Sequence, residues 1–250
     1  MKLDICLNYV TTNALSFDAA IIDLDGTLVD TLGDFVAALN LMLDELSLPQ
    51  VDRLTVELMV GKGSEHLVKS VLNHVAGHYS CYQSAINSEA SSEVFVRDAD
   101  FFEKAFESYQ RHYHAINGVH ANVYPGVLEG LQQMRHAGLK LACVTNKPLV
   151  FAKSLLKLKR LEGFFSHVFG GDSFERKKPD PLPLIKTCEA LGTRPARTLM
   201  VGDSANDAGA ARAAGCPVIL VTYGYNHGQP VRGVSADGVV DSLLAIRLQK

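Results

Sequence analysis

Two aspartates one residue apart, Asp23 and Asp25 in the run DLDGT, close a short apolar stretch at residues 19–24 (AAIIDL). Side-chain direction alternates along a strand, so such a pair meets different neighbours and takes different tasks. One carboxylate can attack phosphorus to give an aspartyl-phosphate, while the other protonates the leaving oxygen and later takes a proton from water. Partners for that chemistry stand at three further places: Thr145, Asn146 and Lys147 in TNK, Lys177 and Lys178 ahead of Pro179, and Asp203, Ser204 and Asp207 in GDSAND. The Thr145 hydroxyl, the Asn146 amide and the Lys178 ammonium are donors suited to the equatorial oxygens of a transferring phosphoryl group. Several carboxylates around one point cannot all ionise cheaply without a cation, and all-oxygen donors select a hard ion such as Mg²⁺.

These groups stand at the ends of candidate strands. Residues 19–24, 140–145 (KLACVT), 166–169 (SHVF), 198–202 (TLMVG) and 218–223 (VILVTY) are short, mostly aliphatic runs without alternation. That is the pattern of strands buried on both faces. Helical patterns separate them. Val127, Leu128, Leu131 and Met134 follow Pro125 and Gly126; Phe151, Leu155 and Leu158 follow Pro148; residues 181–191 end at Gly192 and 206–214 at Gly215. Proline near the start and glycine just past the end is the asymmetry of helix termini. Such alternation predicts βαβ units, hence an α/β fold with a doubly wound, Rossmann-like parallel sheet. Ligands of that architecture gather outside the carboxyl ends of the strands, where the polar groups above converge.

Residues 30–122 show no strand pattern. Thr31 and Asp34 resemble a capping box, followed by Leu32, Phe35, Val36, Leu39, Leu43 and Leu46 at helical spacing. Leu67, Val68, Val71, Leu72 and Val75 form a second stripe, and Phe102, Phe106, Tyr109, Tyr113 and Ile116 a third. The polar, Ser-rich residues 77–92 are expected to be loop. The predicted organisation is an N-terminal extension (1–16), an α/β core (17–29 and 123–250) and an all-helical insertion (30–122). Gly61-Lys62-Gly63-Ser64 lacks phosphate-loop spacing, because Glu57 stands where the first glycine belongs. It reads as a connector or as a loop facing the site, with Lys62 near a substrate carboxylate. His74 and His78 are four apart, but Gly77 is expected to break their helix, and His112 and His114 point to different faces.

Composition bounds the rest. The 250 residues carry 24 Lys+Arg against 27 Asp+Glu, a net charge of −3, so no basic surplus advertises a nucleic-acid partner. Hydrophobic residues make up 47% and charged residues 20%, which excludes a disordered chain. Cys6, Cys81, Cys143, Cys188 and Cys216 are odd in number and lack C-x-x-C spacing, which argues for a reducing compartment. No apolar run reaches the ~18 residues of a membrane span. Asp4 and Asn8 interrupt the apolar stretch at the N-terminus, unlike a signal peptide. A cytoplasmic protein acting on a small phosphorylated metabolite is expected, with neither membrane nor nucleic acid as partner; oligomeric state is not legible.

In this order, DLDGT, TNK, KKPDP and GDSAND resemble the motifs of the haloacid dehalogenase-like superfamily of phosphotransferases. FDAAIIDLDGTLVDT, VYPGV and VTYGYNHG extend the resemblance over roughly residues 17–245, with the helical insertion as the cap. The resemblance implies Asp23 as nucleophile and magnesium ligand, and Asp25 as general acid/base that also binds the metal through its backbone carbonyl. It implies Thr145 and Asn146 as phosphate holders and Lys178 as the group neutralising phosphate and nucleophile. Asp203 would complete the metal site, and Asp207 would orient Lys178 or a metal-bound water. The superfamily's dehalogenases lack the second acid of DxD, so Asp25 implies phosphoryl chemistry. The implied activity is Mg²⁺-dependent hydrolysis of a small phosphomonoester, 2-phosphoglycolate first. Sugar-phosphate or pyrophosphate hydrolysis and phosphomutation are the alternatives that share the motifs. A phospho-accepting regulatory module uses similar groups on a doubly wound sheet, but without an acceptor in DxDGT or a helical insertion after the first strand.

Overall fold

The computed structural model describes residues 4–6, 9–11, 17–85 and 99–247. Strands β1 (Asp4–Cys6) and β2 (Tyr9–Thr11) form an antiparallel pair ahead of β3 (Ala19–Ile22), the first strand of the central sheet. The chain leaves that sheet through β4 (Val29–Asp30) into helices α1 (Leu32–Glu45), α2 (Arg53–Glu57), α3 (Ser64–Ala85) and α4 (Ala99–Ile116), and returns through β5 (Asn122–Val123). There follow α5 (Val127–His136), β6 (Lys140–Val144), α6 (Leu149–Leu158), β7 (His167–Phe169), α7 (Leu182–Leu191) and β8 (Thr198–Gly202). The chain closes with α8 (Ala205–Ala214), β9 (Val218–Val221), β10 (Gly238–Val240) and β11 (Ile246–Arg247), the last pairing with β2.

The central sheet has six strands in the order β10-β9-β8-β3-β6-β7, and every neighbouring pair is parallel. Both faces are covered, which is why the strands show no polar alternation. Ala20, Ile22, Leu141, Cys143, Leu199 and Val201 pack against Val127, Leu131 and Met134 of α5 and Ala152, Leu155 and Leu156 of α6. The opposite-facing Ala19, Ile21, Ala142, Val144 and Met200 pack against Leu184, Cys188 and Leu191 of α7 and Ala208, Ala210 and Ala211 of α8. The chain runs outward to one side of β3 through β6 and β7, then to the other through β8, β9 and β10. That reversal opens the crevice at the carboxyl end of β3.

The inserted helices have their own core, in which Phe35, Leu39 and Leu43 of α1 meet Leu67, Val68 and Val71 of α3 and Tyr109 and Tyr113 of α4. The outgoing and returning segments pair antiparallel, Val29 opposite Val123 and Asp30 opposite Asn122. Wholly buried Asp34 accepts the amide protons of Gly118 (2.6 Å) and His120 (2.7 Å), so it fastens α1 to the exit of α4. The expected capping box therefore does not form: Asp34 is drawn to those amides, and the Thr31 hydroxyl donates to Asp25 Oδ1 at 2.7 Å. The expected loop at 77–92 is also corrected, because α3 continues through Gly77 to Ala85. One interior glycine costs a helix about 1 kcal/mol, less than is gained by burying Leu67, Val68, Val71, Leu72 and Val75. Residues 86–92 lie outside the described residues. Strands β4, β5 and β10 escaped the sequence reading because two or three residues carry no period. Among the described residues, no helix is long and apolar enough to cross a membrane.

Candidate active site

The carboxyl ends of β3, β6 and β8 and the loop after β7 deliver their polar residues to one cavity. Asp23, Asp25, Thr145, Asn146, Lys178, Asp203 and Asp207 all line it, so every site residue predicted from sequence is brought together. Lys178 is central: its ammonium lies 2.9 Å from Asp23 Oδ1 and 2.7 Å from Asp207 Oδ1, and donates to the Val144 carbonyl at 2.8 Å. The Leu24 amide also donates to Asp23 Oδ1 (2.8 Å). Asp207 has a structural task as well. Its Oδ2 accepts from the Ser204 amide (3.1 Å) and hydroxyl (2.8 Å), closing the first turn of α8. Asp203 accepts from the Thr27 hydroxyl (3.1 Å) and the Tyr225 amide (2.5 Å). Asp25 is the less buried acid of the pair, and the Thr31 hydroxyl and the Lys147 ammonium (2.8 Å) both donate to its Oδ1.

Burial dominates the electrostatics. It pushes the Asp23 carboxyl up to about 7 against the opposing pull of Lys178, and raises Asp203 well above the carboxylate range, with Asp207 and Asp23 adding to the shift. For Lys178, burial alone would favour the neutral amine, but Asp207 and Asp23 outweigh it and hold the ammonium above its ordinary pKa. Carboxylate oxygens of Asp23, Asp203 and Asp207 lie within 4.8 Å of one another. An all-oxygen set of buried like charges fits a hard divalent cation, which would relieve the repulsion that raises Asp23 and Asp203. Asp207 is the least available of the three, since the Lys178 ammonium holds one oxygen while the Asp203 and Ser204 amides and the Ser204 hydroxyl all donate to the other.

The roof comes from the inserted helices. Val60, Gly61, Gly63 and Ser64 line the cavity together with Phe35 and Leu67. The Asn146 and Asn206 side-chain amides donate to the Gly61 carbonyl at 3.0 and 3.2 Å, fastening this loop over the catalytic rim. The loop thus faces the site, but Lys62 itself is exposed and does not line the cavity. Lys177 is exposed too, as its place in a charge run suggested. About 40 Å³ of water-accessible space lies under this roof, and the cavity opens to solvent.

Three contributors lacked any assigned role in the sequence reading. Lys147 bridges Asp25 to the Tyr113 hydroxyl (2.5 Å) on α4. Tyr225 donates its amide to Asp203, while its hydroxyl accepts from the Thr31 and Leu32 amides (3.0 and 3.1 Å) at the start of α1. Asn206 holds the roof. Lysine in TNK was visible as a strand-end polar group and tyrosine in YGYNHG only as part of a matching stretch, and both meet partners on distant helices.

The family model for haloacid dehalogenase-like hydrolases matches residues 20–221. A phosphoglycolate phosphatase of Thiobacillus denitrificans is 42% identical over 229 residues, covering 92% of this chain and 93% of the relative. A plasmid-borne phosphoglycolate phosphatase of Cupriavidus necator is 40% identical over 237 residues, covering 95% and 94%. Among solved structures, a predicted phosphoglycolate phosphatase from Haemophilus somnus superposes with a TM-score of 0.80 at 31% identity, covering 91% of this chain and 95% of that one.

Proposed function

Because the chain belongs to the haloacid dehalogenase-like hydrolases, we propose that this phosphatase is Mg²⁺-dependent and hydrolyses 2-phosphoglycolate to glycolate and phosphate through an aspartyl-phosphate on Asp23. The observation that carries the reading is one buried ammonium, Lys178, fixing Asp23 beside a second acid, Asp25, that is positioned separately by Thr31 and Lys147. The names of the relatives supply the substrate.

Lys178 and the Leu24 amide both engage Asp23 Oδ1, so Oδ2 is the oxygen left to attack phosphorus. As the new bond forms, the ester P–O bond breaks, and Asp25 gives its proton to the departing glycolate oxygen. Asp25, now a carboxylate, takes a proton from the water that attacks the phosphoryl group, and Asp23 leaves as carboxylate. Thr145 donates to the phosphoryl oxygens, the Asn146 side-chain amide joins it once released from the Gly61 carbonyl, and Lys178, its N–H donors directed at Asp23, Asp207 and the Val144 carbonyl, balances their charge. Asp23, Asp203 and the Asp25 carbonyl would hold Mg²⁺, which when bound neutralises charge on the transferring group. Residues 30–122 act as the cap, closing over bound substrate to exclude water. The non-enzymatic alternative, a phospho-accepting regulatory module, gives way to membership of a hydrolase family.

Phosphate release from 2-phosphoglycolate, sugar phosphates, pyrophosphate and nucleotides, with Mg²⁺ and with EDTA, tests the proposal. A metal-dependent preference for 2-phosphoglycolate above tenfold in kcat/KM is expected, about 1.4 kcal/mol of discrimination. A flat profile would refute the substrate, and an isomer formed without free phosphate would reveal a mutase.

Two further outcomes are expected at the metal site. Metal must displace the protons that burial keeps on Asp23, held up to about 7, and on Asp203. Mg²⁺ binding should then release protons and tighten as pH rises through about 7. Calorimetry in buffers of different ionisation enthalpy reads this directly, and an affinity unchanged between pH 6 and 8 would contradict it. Gly26 sits at φ +82°, and a Cβ there would stand 2.2 Å from Asp203 Oδ2. Gly26→Ala should weaken Mg²⁺ at least tenfold and lower the thermal midpoint, through backbone strain of ~1 kcal/mol and a displaced ligand. Metal titration of turnover together with thermal unfolding checks both effects.

A further inference from the structure

The cavity is lined by two lysines with different hydrogen-bond accounts. An ammonium has three N–H donors. Lys178 directs all three, at Asp23, Asp207 and the Val144 carbonyl. Lys147 is equally buried, its side chain 2% exposed, but its described acceptors are two: Asp25 Oδ1 at 2.8 Å and the Tyr113 hydroxyl at 2.5 Å. Its Nζ lies 4.6 Å from the centroid of the Phe35 ring and 4.8 Å from that of Tyr113, so aromatic faces hold the charge without consuming a donor. One N–H is left for a group inside the cavity that Lys147 lines.

We propose that Lys147 is a specificity-determining residue, whose charge and remaining N–H bind a carboxylate that the substrate carries beside its phosphate. The inference rests on the phosphatase reading above and narrows its substrates to phosphomonoesters bearing a second anion. Lys147 and Lys178 are the only cations among the described lining residues, and Lys178 is committed to the nucleophile. Elsewhere the roof presents Phe35, Val60 and Leu67, against which an unpaired carboxylate would lose its hydration without return. Separation favours a short molecule. The Lys147 amide donates to the Thr145 hydroxyl oxygen (3.2 Å), so the phosphate donor and this ammonium share one tight turn after β6. A carboxylate within a few bonds of phosphorus can reach both; an uncharged hydroxyl would meet the N–H but forfeit the Coulombic attraction of a buried pair.

The test compares the unsubstituted enzyme with Lys147→Met on 2-phosphoglycolate and on ethyl phosphate, which keeps the phosphate and two-carbon chain and lacks the carboxylate. Methionine retains an unbranched stem between the rings. Because Lys147 touches Asp25, turnover should fall on both substrates, so the ratio is the readout. We expect 2-phosphoglycolate to lose at least tenfold more kcat/KM than ethyl phosphate, chiefly through KM. Equal losses would overturn the proposal and leave Lys147 as a partner of Asp25 alone. A preference for 2-phosphoglycolate that survives undiminished in Lys147→Met would also overturn it, while the substrate reading stands. An unsubstituted enzyme equally active on both substrates would overturn the substrate reading and this inference together. A second measurement needs no folded Met variant. The ¹⁵Nζ resonance of Lys147, assigned through Lys147→Arg, should shift on adding 3-phosphonopropionate and stay in place with propylphosphonate. No difference between these two non-hydrolysable ligands would refute carboxylate binding.

Discussion

Asp23→Asn is expected to abolish phosphate release, with kcat falling at least about 10⁴-fold, on the order of 5 kcal/mol of barrier, while the protein stays folded. The reason is the distribution of partners around the cavity. Asp25 is engaged by Lys147 and Thr31, Asp203 by Thr27 and the Tyr225 amide, and Asp207 by Lys178 and Ser204. Each of those carboxylates is tied to a different element, so no neighbour is placed to replace the missing nucleophile. The fold should tolerate the change because asparagine keeps an oxygen for the Leu24 amide and Lys178, and Lys178 retains Asp207 at 2.7 Å. Removing one carboxylate also relieves the burial that pushes Asp23 up to about 7. Denaturant midpoints should therefore stay close to those of the unsubstituted protein. Turnover above about 1% of the original, in a preparation free of the unsubstituted enzyme, would remove Asp23 from the proposed role.

The residues that could be read from the sequence are those whose neighbourhood is local. Asp23, Asp25 and Asp203 are acids attached to aliphatic runs that must be buried, a placement that needs a reason wherever it occurs. Thr145 and Asn146 follow the same rule after β6. Strand–helix alternation settled the sheet because each strand buries both faces, so the apolar runs stand out against their surroundings. Tyr225 could not be read this way. Its hydroxyl meets the Thr31 amide across 194 residues of chain, and no local pattern announces that meeting. Lys147 was visible as the third residue of TNK, but Tyr113, which gives it purpose, approaches from the inserted helices. Asp34 shows the converse error: a sequence rule for helix starts assigned it to its own helix, whereas two amides after α4 claimed it. Local composition also ended α3 early at Gly77, where packing of the preceding stripe carries the helix on.

Lys178→Met should cost more stability than any other single change at the site, and its pH dependence identifies the cause. Removing one partner of a buried ion pair typically costs ~3–5 kcal/mol, because the charges left behind have no counterion. Here two acids lose it at once, Asp23 at 2.9 Å and Asp207 at 2.7 Å. Activity should fall at least about 10³-fold, since a phosphoryl group would enter a pocket whose acids are no longer balanced. For pH the sign follows from Asp23. Burial already raises it from 3.8 to about 7 while Lys178 opposes the shift, so without the ammonium it must rise further. A carboxyl whose folded pKa exceeds its unfolded value stabilises the fold fully below the unfolded value, and that contribution is lost as pH rises through the folded pKa. The variant should thus lie nearest the unsubstituted protein around pH 5 and fall progressively behind it above pH 7. Urea unfolding in EDTA at pH 5.5 and 8.0 measures the difference. A deficit of equal size at both values would mean that lost packing around the lysine stem, rather than uncompensated charge, accounts for the damage. Added Mg²⁺ should recover part of the loss at pH 8 if Asp23 and Asp203 bind it, because the ion supplies positive charge beside Asp23, one of the two acids that lost the ammonium.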